Sequence, residues 1–214
     1  MPVSVKGGIE LRTALKKFTP DLAKETQKEL GRLLKPITQK ARGFIPSSAP
    51  LSGWGKASID GKFPQWSSTE AKRGIGYKTT PSKPNRQGWR SLARIVNASA
   101  AGAIYETAGR INPNGREQNA YAKFSPRSEN YGKRIRETDR KKSRSNNPMA
   151  GKQFIDALNA TGQLVDARSG DSRGNMRGRA IFRAWKEDGG KTQAAVLKAI
   201  ETSRDKFYAS VGKN

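Results

Sequence analysis

Neither cysteine nor histidine occurs anywhere in the chain. The first absence removes disulfides, thiol nucleophiles and thiolate metal ligands; the second removes the side chain most often used as a general base or metal ligand. Together they argue against catalysis. Long apolar runs are missing too, since no stretch approaches the roughly 18 residues that span a bilayer. The opening MPVSVKGGIEL has no apolar core of the kind a secretory signal needs. A protein made and used in a cytosol, with no membrane partner, is the expectation. Acidic residues are scarce as well, 18 against 42 lysines and arginines, for a formal charge of +24. Such a surface repels itself unless a polyanion or an acidic partner lies near.

What is present is limited in apolar content. Hydrophobic residues make up 34% of the 214, alongside 22 glycines and 11 prolines. The length suits a single domain over residues 1–214 whose core is concentrated in a few segments, with much of the rest in loops. The clearest segment is 20–44, where Leu22, Thr26, Leu30, Leu33, Leu34, Ile37, Ala41 and Phe44 recur at helical spacing. Thr19 suits the N-cap, Pro20 the first turn, and acids early with bases late match the helix dipole. Pro36 lies inside, which predicts a kink or a restart. A shorter helix over 9–18 precedes it.

Residues 46–84 form a Pro/Gly-rich loop region with one short strand near 75–79. Strand formers between Trp89 and Tyr105 predict a small antiparallel sheet, with 98–102 as the turn of a hairpin. Helices are expected over 149–158, 180–185 and 192–211, the last burying Val196, Leu197, Ile200, Phe207, Tyr208 and Val211 on one face. The expected fold class is therefore α+β: a long kinked N-terminal helix and C-terminal helices packed on a small antiparallel sheet, with extended basic loops.

Residues 112–147 hold almost no aliphatic side chains and carry a basic run of Lys133, Arg134, Arg136, Arg140, Lys141, Lys142 and Arg144. A segment of this composition does not bury enough surface to fold alone, so it reads as a basic arm that orders against a partner. The glycine-rich RSGDSRGNMRGR adds Arg168, Arg173, Arg177 and Arg179, but its spacing matches neither a P-loop nor a dinucleotide fingerprint. These guanidinium and ammonium groups are the candidates for contacts with phosphate or with an acidic protein; charge alone does not separate the two. The carboxylates Asp156, Asp166, Asp171, Glu187 and Asp188 lie in no apolar setting and read as solvated acids. No cofactor or metal site is expected. Trp54, Trp66, Trp89 and Trp185, with Tyr77, Tyr105, Tyr121 and Tyr131, sit in no recognised RNA-binding pattern and are assigned to packing rather than to base stacking.

Three segments in order carry a resemblance: the basic helix ending in QKARGFIP, the turn segment SSAPLSGW with Ser52 and Gly53, and AGAIYETAG with Tyr105, Glu106 and Gly109. Their arrangement resembles the tail-completion or head–tail joining proteins of the neck of long-tailed bacteriophages, over roughly the first 110 residues and the closing helices. In that family a later strand ends in an aromatic, a Glu and a Gly; here Thr107 and Ala108 intervene before Gly109. The resemblance implies an α+β virion subunit that forms a homo-oligomeric ring around the DNA channel. Its neighbours would be the portal or head–tail adaptor, the tail terminator or the tail-tube proteins, with non-specific contact to duplex DNA, and it would be assembled in the host cytoplasm. A nucleic-acid-binding protein of the ribosome or nucleoid fits the charge equally well.

Overall fold

The computed structural model describes residues 8–55, 64–86, 88, 90–114, 149–168 and 176–211. Seven helices and two two-stranded antiparallel sheets occur among them. The chain begins with α1 (Gly8–Phe18) and α2 (Pro20–Gly43), followed by α3 (Ser68–Gly74), β1 (Ile75–Lys78), β2 (Arg94–Asn97) and α4 (Ala100–Thr107). It continues with α5 (Ala150–Thr161), β3 (Val165–Asp166), β4 (Arg177–Gly178), α6 (Ile181–Asp188) and α7 (Lys191–Val211).

The organising element is α2. Its apolar stripe turns Ala23, Leu30, Leu34, Ile37 and Ala41 inward, all buried, each large aliphatic side chain contributing about 1.5–3 kcal/mol. The N-terminal half of the stripe meets α1 through Leu15 and α7 through Ile200; the C-terminal half meets α6 and β1. Pro36 lies inside the helix without ending it. It faces solvent, as does Arg32, whose carbonyl loses its helical donor to the proline ring and is open to water. Thr19 does not cap α2: its hydroxyl turns back to Leu15 O at 3.4 Å. Pro20, which has no N–H to satisfy, opens the helix in its place.

Strand β1 pairs with β2 in the register Ile75↔Asn97, Gly76↔Val96, Tyr77↔Ile95 and Lys78↔Arg94. The expected hairpin turn at 98–102 is instead the start of α4, where Ser99 accepts the Gly102 N–H at 3.1 Å. Ser99 caps an alanine-rich run of good helix formers, and that local preference outweighs the strand character of Ile104 and Tyr105. Tyr105 and Glu106 therefore sit on a helix and not at the end of a strand. The second sheet is a two-residue ladder, Val165↔Gly178 and Asp166↔Arg177, packed under α6.

The main core joins Ile37, Ala41, Ile45, Trp54, Trp66, Ala71, Ile75, Ala101, Tyr105, Leu158, Ala180 and Ala184. Trp54 and Trp66 meet at a tilt with ring centroids 5.0 Å apart, Trp66 meets Tyr105 edge-on at 5.7 Å, and Phe154 closes on Trp54. The expected helices over 149–158 and 180–185 are present as α5 and α6. The closing helix lies along α2, with the Thr26 hydroxyl meeting Ser203 Oγ at 2.8 Å. Tyr208, expected on its buried face, is 65% exposed. None of the helices among the described residues is long and apolar enough to cross a membrane.

Candidate functional site

Tyr105 and Glu106, neighbours on α4, are both buried, and the rest of the site is built on them. Glu106 reaches across to the start of α6, where Oε2 accepts the Ala180 N–H at 2.6 Å and Oε1 the Phe182 N–H at 3.1 Å. No side chain at Ala180 caps that helix. A carboxylate at its positive end supplies two acceptors and a favourable charge together. Gly178 makes room for this, since a Cβ there would lie 2.0 Å from Glu106 Oε1. Gly109 has φ +81° and a Cβ there would come 2.9 Å from Ile155 Cγ2, so only glycine takes both the left-handed backbone and the contact. Ser52 and Gly53 form an exposed turn whose result is the placing of Trp54, its N–H bonded to Leu51 O and its indole N–H to Pro64 O.

Arg179, expected among the phosphate contacts, is fully buried. Its Nη1 donates to Tyr105 O at 2.9 Å and Ala108 O at 2.7 Å, its Nη2 to Asn159 Oδ1 at 2.7 Å, and its Cζ lies 5.9 Å from the Tyr105 ring centroid. Burial lowers its affinity for a proton below that of an ordinary guanidinium, yet arginine stays charged in proteins. Its role is to satisfy the carbonyls at the C-terminal end of α4, which leaves no donor facing solvent. Burial likewise pushes the Tyr105 hydroxyl upward, and its O–H donates to Phe44 O at 3.3 Å.

Arg177 is partly exposed, but it shares the Asp166 carboxylate with Arg168. The hydrogen bonds from Arg168, supported by Arg177, hold that carboxyl well below the usual carboxylate range. Arg173 and the run Lys133, Arg134, Arg136, Arg140, Lys141, Lys142 and Arg144 lie outside the described residues, as do Asp171, Trp89, Tyr121 and Tyr131.

Of the remaining acids, Asp156 pairs with Lys152 and Glu187 with Lys40 and Arg183, while Asp188 accepts from the Thr192 N–H and hydroxyl. Lys40 above all, then Arg183, holds Glu187 below its ordinary value. Among the described residues no group of three His, Cys, Asp or Glu is placed to hold a metal ion. Trp54 and Trp66 are buried, which removes both from any role in stacking on bases.

A set of cations passed over in the sequence reading becomes visible on the hairpin. Between Glu70 and Glu106 the chain contains no acid at all. Lys78, Lys83, Arg86, Arg90 and Arg94 all lie in that interval, and none makes an ion pair with a described residue. The signal available beforehand was this missing acid, which is less conspicuous than a dense basic run. Comparison of the chain with protein-family models, with curated proteins and with solved structures finds no match in any of the three.

Proposed function

We propose that this chain is a structural subunit of the neck of a long-tailed bacteriophage, a tail-completion or head–tail connector protein that forms a ring around the DNA channel. The observation that carries the reading is the convergence of Tyr105 and Glu106, two positions of the sequence resemblance, on one buried hub with Arg179, beside which Gly109 packs on Ile155. The hub seats α6, and α6 in turn packs on α2 and on β3–β4. Residues so placed fix a scaffold; they present no reactive group to solvent. A charge of +24 favours assembly against acidic neighbours or the genome over a free monomer. The partners of this reading are further copies of the chain, the portal or head–tail adaptor, and the tail terminator or tube.

Light scattering of the purified protein across a salt series, with and without duplex DNA, tests the proposal. A ring-sized mass supports it. A monomer under every condition that still binds duplex overturns it in favour of the second reading, a nucleic-acid-binding protein outside the virion, which the acid-free hairpin favours. For the basic arm, neutral replacement of Lys133, Arg134, Arg136, Lys141 and Lys142 is expected to leave folding intact and reduce the joining of heads to tails. An unchanged yield of infectious particles from that variant removes the arm from the assembly role.

A further inference from the structure

The positive charge of this molecule is compensated very unevenly. Lys206 meets Glu25, Lys40 and Arg183 meet Glu187, Arg32 meets Glu29, and Arg168 and Arg177 share Asp166. On the β1–β2 hairpin the guanidinium groups bond neutral oxygens among the described residues. Arg90 Nε donates to Ser82 O at 2.9 Å and Arg94 Nη1 to Thr80 O at 2.9 Å, while Arg12 reaches in from α1 to Thr79 O. Such bonds hold the side chains in place without neutralising them.

The register adds a second observation. Lys78 and Arg94 are direct cross-strand partners, and like charges placed directly opposite destabilise a ladder. An anion lying against both would remove that penalty. The ribbon continues beyond the strands, with Ser82 N–H bonded to Ser91 O and Ser91 N–H to Ser82 Oγ, both at 2.9 Å. Lys78 and Arg94 therefore sit on the ladder itself, and Lys83, Arg86 and Arg90 on the chain that links its two strands.

We infer that the β1–β2 hairpin is a binding site for the phosphodiester backbone of duplex nucleic acid, made by Lys78, Lys83, Arg86, Arg90 and Arg94. Between Lys78 and Ser91 the one large apolar side chain is Trp89, set among four cations. A protein partner needs a wider apolar centre to bury and generally avoids lysine there, whereas a phosphate backbone asks only for dispersed cations. The contacts are independent of sequence, because they end on phosphates. The site uses no residue of the Lys133–Arg144 run and does not require a ring. Its failure is read in salt dependence, and that of the neck reading in particle mass.

The test is anisotropy of a labelled random-sequence duplex with the full chain across a potassium chloride series, for two quadruple variants. Lys78→Gln, Lys83→Gln, Arg86→Gln and Arg90→Gln together are expected to make the slope of log affinity against log salt shallower by about 3 to 4, at about 0.9 per lost phosphate contact. Lys24→Gln, Arg32→Gln, Lys198→Gln and Lys206→Gln, on α2 and α7, are expected to leave the slope unchanged. A parental slope in the hairpin variant, equal losses in both, or competition by polyglutamate as effective as by unlabelled duplex each overturns the site. Should the hairpin variant misfold, lysine acetylation of the parental protein decides: duplex is expected to protect Lys78 and Lys83 and to spare Lys24 and Lys198. Equal reactivity with and without duplex overturns the inference.

Discussion

The face formed by α2, α6 and α7 and the hairpin β1–β2 are both rich in cations, and they treat them in opposite ways. On the helical face Glu25, Glu29 and Glu187 each hold a lysine or arginine, and two of these pairs, Lys206–Glu25 and Lys40–Glu187, join different helices. On the hairpin the acceptors that hold Arg90 and Arg94 among the described residues are uncharged backbone oxygens. Exposed pairs of the first kind add little stability singly, so their value lies in letting positive helices lie side by side. The hairpin docks on α2 and α3 through β1 and β2 with no such pair, and no acid is provided along it. Net charge alone is therefore a poor guide to a binding surface in this chain; the better guide is where the compensating acids are missing.

The largest expected effect concerns the docking on which that comparison rests. Leu30→Asp places a charge at a position 2% exposed between α1, α2 and α7, with a cost on the order of 4 kcal/mol or more and loss of cooperative melting. Leu33→Asp is expected to be milder, because Leu33 is half-buried beside the groove between α2 and α7. The two positions look alike in the sequence stripe. Circular dichroism melting of both separates them, and equal melting would show that the stripe is centred on the wrong residues.

Next in size is Arg179→Met. Removing the buried guanidinium strands Tyr105 O, Ala108 O and Asn159 Oδ1, at about 3–5 kcal/mol. Chemical denaturation is expected to show this loss while the salt slope of duplex binding by the remaining folded protein stays parental. A shallower slope with unchanged stability would return Arg179 to the phosphate-binding set and erase the distinction between buried and displayed cations.

These two positions also show how much was legible beforehand. Helical periodicity sufficed for α1, α2, α5 and α7, because an apolar stripe depends only on spacing and one buried side. It did not suffice for Ala100–Thr107, where eight residues rich in alanine follow a serine cap and the β-branched and aromatic residues suggested a strand. Nor did Arg179 differ in sequence from Arg177 two places earlier. What sets them apart is Glu106, more than seventy residues away, which fixes the backbone on the far side of Arg179 and turns its side chain inward. Glu106 itself was visible as part of a resemblance, but its work as a cap for α6 depends on tertiary contact alone. The hairpin cations were hidden by their dilution among Pro, Ser and Thr.

The smallest effect probes whether compensation itself decides which cations meet a polyanion. Asp166 is partly exposed and holds Arg168 and Arg177. Its carboxyl titrates below the ordinary value, so its contribution is fully present above the unfolded carboxylate range near about 4 and is lost only as pH falls through the lowered folded value. At neutral pH, solvent screening makes Asp166→Asn almost silent in thermal melting. The same substitution frees two guanidinium groups on the β3–β4 ladder. If missing acids are what make a surface available to phosphate, the salt slope of duplex binding steepens by about 1 to 2. An unchanged slope would mean that freed guanidinium groups alone do not draw the duplex, and that the ladder stays away from it whatever its charge.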